Sequence, residues 1–113
     1  MEPLVCWLYR FTPTRPAMLR EGLNERELAA FQRHAAYLND LEQRGVIIAV
    51  GRALIADERN FALAIIKATS EDAARGVMEH DPFVTEGVVR AELFPFQLSH
   101  LSAANAGLGA QPG

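Results

Sequence analysis

The sequence predicts an α+β domain with the element order β-α-β-β-α-β. Three observations carry that expectation. Four apolar runs of strand length are spread along the chain. Two segments with helix-start signals follow the first and third runs. The second and third runs lie close enough for a hairpin. A chain of 113 residues, 50% of them hydrophobic, has the size and apolar content of one folded domain.

Residues 4–11 are apolar and aromatic, bounded by Pro3 and a turn-rich stretch, and read as the first strand. Residues 12–23 hold Pro13, Pro16 and Gly22 and read as a loop. Asn24 can cap a helix there, with Glu27 in the reciprocal position of a capping box. Leu28, Phe31, Ala35, Leu38 and Leu41 draw an apolar stripe, and Gly45 closes the helix just after Arg44. Residues 46–54 are rich in β-branched side chains and form the second strand; residues 57–60 make a polar turn, and residues 61–68 form the third strand. A second helix opens at Thr69 or Ser70, with Glu71 and Asp72 where the helix dipole favours negative charge. It must stop before Pro82, because the residue before proline avoids helical geometry. Residues 88–96 form the fourth strand, closed off by Pro95. The domain is thus expected over residues 1–101, with residues 102–113 as a flexible tail lacking apolar periodicity.

This order is the ferredoxin-like pattern, in which two helices cover one face of a four-stranded antiparallel sheet. Strict alternation sets Phe61, Leu63 and Ile65 against Ala62, Ala64 and Ile66. It sets Val46, Ile48 and Val50 against Ile47, Ala49 and Gly51, and Val89, Ala91 and Leu93 against Val88, Phe94 and Phe96. Both faces are therefore largely apolar, whereas a half-solvated sheet alternates with polar residues. Helices cover one face, and a second copy of the chain is the expected cover for the other, giving a homodimer.

The formal net charge is -3 and no stripe of Lys and Arg appears, which argues against nucleic acid and against a membrane surface. No apolar run is long enough to span a bilayer, and the N-terminus lacks the basic start of a signal peptide. Cys6 is the single cysteine, so no intrachain disulfide forms and a cytoplasmic location is expected. Histidines and cysteine show no pair at ligand spacing, so no metal is expected. Without a glycine-rich phosphate loop, a nucleophile elbow or a cofactor motif, no cofactor is expected either.

The candidate chemistry rests on few residues. His34 lies within the apolar stripe of the first helix, so helix geometry aims it toward the sheet. Imidazole transfers protons near neutral pH, although a histidine here could also simply bond a backbone carbonyl. Asp81, between His80 and Pro82, is either an ordinary turn starter or the carboxylate that orients a histidine. His80 is the rival partner, though a histidine at a helix end is favoured by the dipole alone. Arg10 and Arg52 are charges on apolar strands; either could clamp an anionic group or reach into water. Tyr9 alternates with Trp7 on one strand face; packing is the plainer role and substrate contact the alternative.

The motifs also resemble a known family. His34, Tyr37, Leu38, Leu41 and Gly45 are followed by Ala49 and Gly51, then by His-Asp-Pro-Phe-Val-x-x-Gly ending at Gly87, then by Phe94, Pro95 and Phe96. This pattern, over roughly residues 4–98, is similar to the YciI-like proteins, or YCII-related domain. The resemblance implies a dimeric α+β barrel and a cleft holding His34 and Asp81. It also implies cofactor-free elimination or isomerisation of small oxygenated compounds. The chain departs from the pattern at Arg52, where many relatives carry proline. Two functional expectations follow: a small enzyme using a His34–Asp81 pair on a small organic substrate, or a non-catalytic ligand-binding module using the same cleft.

Overall fold

A computed structural model describes residues 4–107. Strand β1 (Leu4–Pro13) lies inside the sheet, followed by a single-turn helix α1 (Met18–Glu21) within the segment expected to be a loop. Helix α2 (Glu25–Gln43) precedes the hairpin β2 (Ile47–Arg52) and β3 (Ala62–Ile66). Helix α3 (Glu71–Glu79), a second single-turn helix α4 (Pro82–Thr85) and strand β4 (Val89–Leu98) complete the domain. The four strands form one antiparallel sheet in the order β2-β3-β1-β4, the α+β architecture expected from the pattern. No helix is long and apolar enough to cross a membrane among the described residues.

The capping box at Asn24 forms as the sequence implies. The Asn24 side chain accepts from the Glu27 N–H, and Glu27 accepts from the Asn24 N–H. Gly45, with φ of 77°, takes the left-handed turn that ends α2. The buried face of α2 differs from the expected stripe, however. Glu27, Ala30, His34 and Leu41 are buried, while Leu28 and Phe31 are exposed. The stripe is rotated by about one position because Glu27 is drawn inward. Arg15 reaches across with Nη2 at 2.6 Å and Nε at 2.9 Å from its two carboxylate oxygens, and the same Nη2 donates to the Gly22 carbonyl. The forked pair ties the segment carrying α1 to the start of α2.

Pro95 does not close β4 but lies within it, opposite Trp7. β4 is an edge strand, where a residue without an N–H costs no inner ladder bond. A larger departure occurs in β2. Its register shifts between Ile47 and Ala49, so strict alternation fails there. Beyond the bulge, Val50 pairs with Ala64 and Arg52 with Ala62, and these alanines pair in turn with Tyr9 and Phe11. Val50 and Arg52 therefore share the helix-covered face, although alternation from Ile47 would have put them on the other. The core under the helices gathers Tyr9, Phe11, Ala64, Ile66, Met78 and Val89. The opposite face carries the row Ala49, Ile65, Leu8 and Phe94, with Leu63 and Phe96 beside it.

Glu27 is the natural probe of this arrangement. Chiefly through Arg15, and then through the Asn24 N–H, its pKa is lowered from 4.5 to about 2. A depressed carboxylate pKa stabilises the fold above the ordinary value, and that contribution is lost as pH falls from 4.5 toward about 2. Glu27→Gln is expected to cost about 1–2 kcal/mol at neutral pH, because Arg15 is partly exposed and solvent screens the pair. Urea unfolding of both proteins across that pH range should show the gap shrinking; a pH-independent gap would refute the pairing.

Candidate functional site

The site is built where α2 meets the turn between α3 and α4. His34, in the middle of α2, is held by Asp81: its Nδ1 lies 2.8 and 3.0 Å from the two carboxylate oxygens. Asp81 has no solvent exposure, and the His34 side chain retains 11%. Asp81 lies just past His80, the C-cap of α3, and opens the next turn of helix. Asp81 is the N-cap of α4, and its Oδ1 accepts from the Phe83 N–H at 2.9 Å. A carboxylate is favoured at that position, and Pro82 behind it suits the first helical residue. Gly87, with φ of 69°, then turns the chain into β4.

Phe83 does more than donate a backbone N–H. Its ring stacks on the His34 imidazole, with centroids 4.2 Å apart and planes within 10°. Phe11 meets the same imidazole edge-on at 5.7 Å, and Phe31 leans on it at 6.4 Å. The ring is thus fixed by one carboxylate and three aromatic neighbours. With Nδ1 committed to Asp81, Nε2 has no partner among the described residues. Among the described residues the Tyr9 hydroxyl is the one buried side-chain polar atom without a hydrogen bond, so Nε2 meets open space.

That space is an open cleft of about 630 Å³ between the sheet and the segment holding α1. It is walled mostly by apolar side chains, with His34, Arg52 and Asn60 as its polar side chains. Asn60 is committed, since its Nδ2 donates to the Ala53 and Ile55 carbonyls. Met18, Leu19 and Leu23 form a wall from a segment whose turn formers predict a loop; the apolar residues among those turn formers are the available signal.

Of the expected substrate-binding residues, the structure brings Arg52 to the same cleft as His34. Arg10 does not reach it. It lies on the open sheet face, paired with Glu92 at 2.8 Å, its guanidinium over the Phe94 ring at 5.7 Å. Tyr9 is on the helix-covered face, yet wholly buried beneath the site, which corrects its expected contact with a ligand. Burial first, then the nearby Asp81 charge, raises the Tyr9 pKa. The same two causes, in the same order, raise that of Tyr37, whose hydroxyl donates to the Val77 carbonyl at 2.7 Å. His80 points elsewhere: its Nδ1 lies 2.6 Å from the Gly76 carbonyl at the end of α3, so it is not the partner of Asp81. Burial pushes the Cys6 thiol up, which makes it a poor nucleophile. No three His, Cys, Asp or Glu side chains gather as metal ligands would among the described residues.

The family model for the YCII-related domain matches residues 6–97. The chain belongs to that family. Among solved structures, a similar one is 5-chloro-2-hydroxyhydroquinone dehydrochlorinase (TftG) from Burkholderia phenoliruptrix AC1100, in complex with 2,5-dihydroxybenzoquinone. The two share 23% identity over 80% of this chain and 92% of that one, with a TM-score of 0.58. SnoaB, a cofactor-independent oxygenase from Streptomyces nogalater, is more distantly similar, at 19% identity over 89% of this chain and 97% of that one, with a TM-score of 0.44. No curated protein matches the sequence significantly.

Asp81 serves two partners at once, and its variants should separate them. Asp81→Ala removes both the cap on α4 and the anchor of His34, and is expected to cost about 2–4 kcal/mol. Asp81→Asn keeps an oxygen able to accept from Phe83 and should cost clearly less. Urea unfolding of the two variants checks the ranking; equal costs would mean that the cap carries no weight.

Proposed function

We propose that this YCII-related protein is a small enzyme that moves protons on a small organic substrate, using His34 as acid and base and Asp81 as its orienting partner. One observation carries the reading. The imidazole is locked through Nδ1 onto a buried carboxylate, while Nε2 is left free in an apolar cleft with room for a ligand. A neutral His34 donating through Nδ1 has a lone pair on Nε2 ready to take a proton. The imidazolium formed would be stabilised by Asp81, and the proton could return to another atom of the substrate or follow a leaving group out. Isomerisation and elimination both fit that sequence of steps. A positioned acid–base group of this kind contributes about 10²–10⁴ in rate, and the transfer itself needs only the pair. A purely binding module would be favoured by a histidine bonded to backbone; His34 bonds a carboxylate instead.

We further propose that two copies pair through the helix-free faces of their sheets. Leu8, Leu63, Ile65, Phe94 and Phe96 form an apolar surface there, with Phe94 38% exposed. Stable interfaces bury on the order of 1,200 Å² or more in total, which a whole sheet face can supply. Light scattering at micromolar concentration should report twice the chain mass of 12.4 kDa. A stable soluble monomer would sink the pairing.

The catalytic reading is tested by proton exchange. The full chain is incubated in D₂O with a panel of small hydroxylated ring compounds, a class suggested by the ligand of the dehydrochlorinase complex. Deuterium incorporation is followed by mass spectrometry. His34→Gln, folded by circular dichroism, is expected to slow exchange by about 10²–10⁴. Exchange that is unchanged in His34→Gln would contradict the assignment.

A further inference from the structure

The chemistry of the cleft also bears on what enters it. Among the described residues, Arg10, Arg15, Arg33, Arg44, Arg59 and Arg75 face carboxylates. Arg20 and Arg26 bond backbone carbonyls. Arg52 and Arg90 do neither, and of the two it is Arg52 that lines the cleft. Among the described residues no carboxylate lines the cleft with it. A guanidinium is charged at any physiological pH, so Arg52 brings to the cleft a positive charge that no carboxylate contacts among the described residues.

The sheet register gives the scale. Arg52, Ala62 and Phe11 form one row across β2, β3 and β1. With strands about 4.8 Å apart, the Arg52 and Phe11 backbones are about 10 Å apart. The residue between them is an alanine, so the floor of the cleft is low there. His34 stands over Phe11 at the far end of this row, with ring centroids 5.7 Å apart. One small ring bridges that length, and Phe11, Phe31 and Phe83 line the cleft beside it.

We propose that the substrate is a small planar ring bearing a carboxylate, held by the Arg52 guanidinium through two parallel hydrogen bonds and lying over Ala62 so that the ring reaches His34. The forked geometry of guanidinium matches a carboxylate. This rests on the proton-transfer reading for the role of His34 but not for the binding, which can be measured without turnover. The bulge in β2 is what makes it possible, because without the register shift Arg52 would face away from the cleft.

The test uses the full chain, benzoate and its neutral isostere benzamide, with binding read by NMR chemical-shift perturbation. Benzoate is expected to bind at least about tenfold more tightly than benzamide. Arg52→Gln should bring benzoate down to the benzamide level and leave benzamide unchanged, while Arg52→Lys, which keeps the charge but not the fork, should fall between. Ala62→Leu should weaken both ligands by filling the floor. His34→Gln should keep the preference for benzoate, so that failure of the catalytic reading would leave this result standing. Equal binding of the two ligands, no benzoate binding by about 10 mM, or benzoate binding indifferent to Arg52→Gln or Ala62→Leu would overturn the proposal.

Discussion

The rest of the site depends on one buried carboxylate. Asp81 has no exposure to water, so its charge must be met by hydrogen bonds, and two groups meet it: the Phe83 N–H and His34 Nδ1. A buried anion without such partners would be costly, so the fold holds both in place. The same residue follows the C-cap of α3 and starts α4, which turns the chain back toward α2 and brings the Phe83 ring onto the imidazole. Backbone geometry, aromatic packing and the orientation of His34 are therefore set together. Asp81, Pro82 and Phe83 supply the anion, the helix start and the stacking ring in three consecutive residues.

A second constraint acts from the sheet. The irregularity in β2 moves Arg52 onto the face that carries the cleft, and Ala62 of β3 keeps the floor between the strands open. On the other side, Arg15 joins the buried Glu27 and anchors the segment holding α1, whose apolar side chains form a cleft wall. An ion pair far from the imidazole thus shapes the space in front of it.

Much of this was legible in the sequence. The element order, the capping box at Asn24 and the ends of both long helices follow from local signals that tertiary contacts do not override. The meeting of His34 with Asp81 could be anticipated because one sits on a core-facing helix position and the other follows the neighbouring helix. What was not legible depends on partners distant in the chain. Glu27 reads as the acid of a capping box, and nothing local shows that Arg15 draws it inward, so the buried face of α2 lies about one position from the apolar stripe. A bulge leaves no mark in the pattern of β-branched residues, so the direction of Arg52 could not be read from alternation. Arg10 gave the same sequence signal as Arg52, and only the pairing with Glu92 on the opposite face separates them. The single turn of α4 is too short to show periodicity, although Asp-Pro at its start is a helix-opening signal in hindsight.

The proposed proton transfer depends on which nitrogen of His34 carries the proton. With Nδ1 on a buried carboxylate, the neutral ring should be the Nδ1–H tautomer, with a bare Nε2 toward the cleft. Nitrogen-15 NMR of the imidazole distinguishes the two nitrogens directly. In the native protein, at a pH where the ring is neutral, a protonated Nδ1 and an unprotonated Nε2 are expected, and Asp81→Asn should disturb that preference. A protonated Nε2 in the native protein, or a tautomer indifferent to Asp81→Asn, would contradict the account.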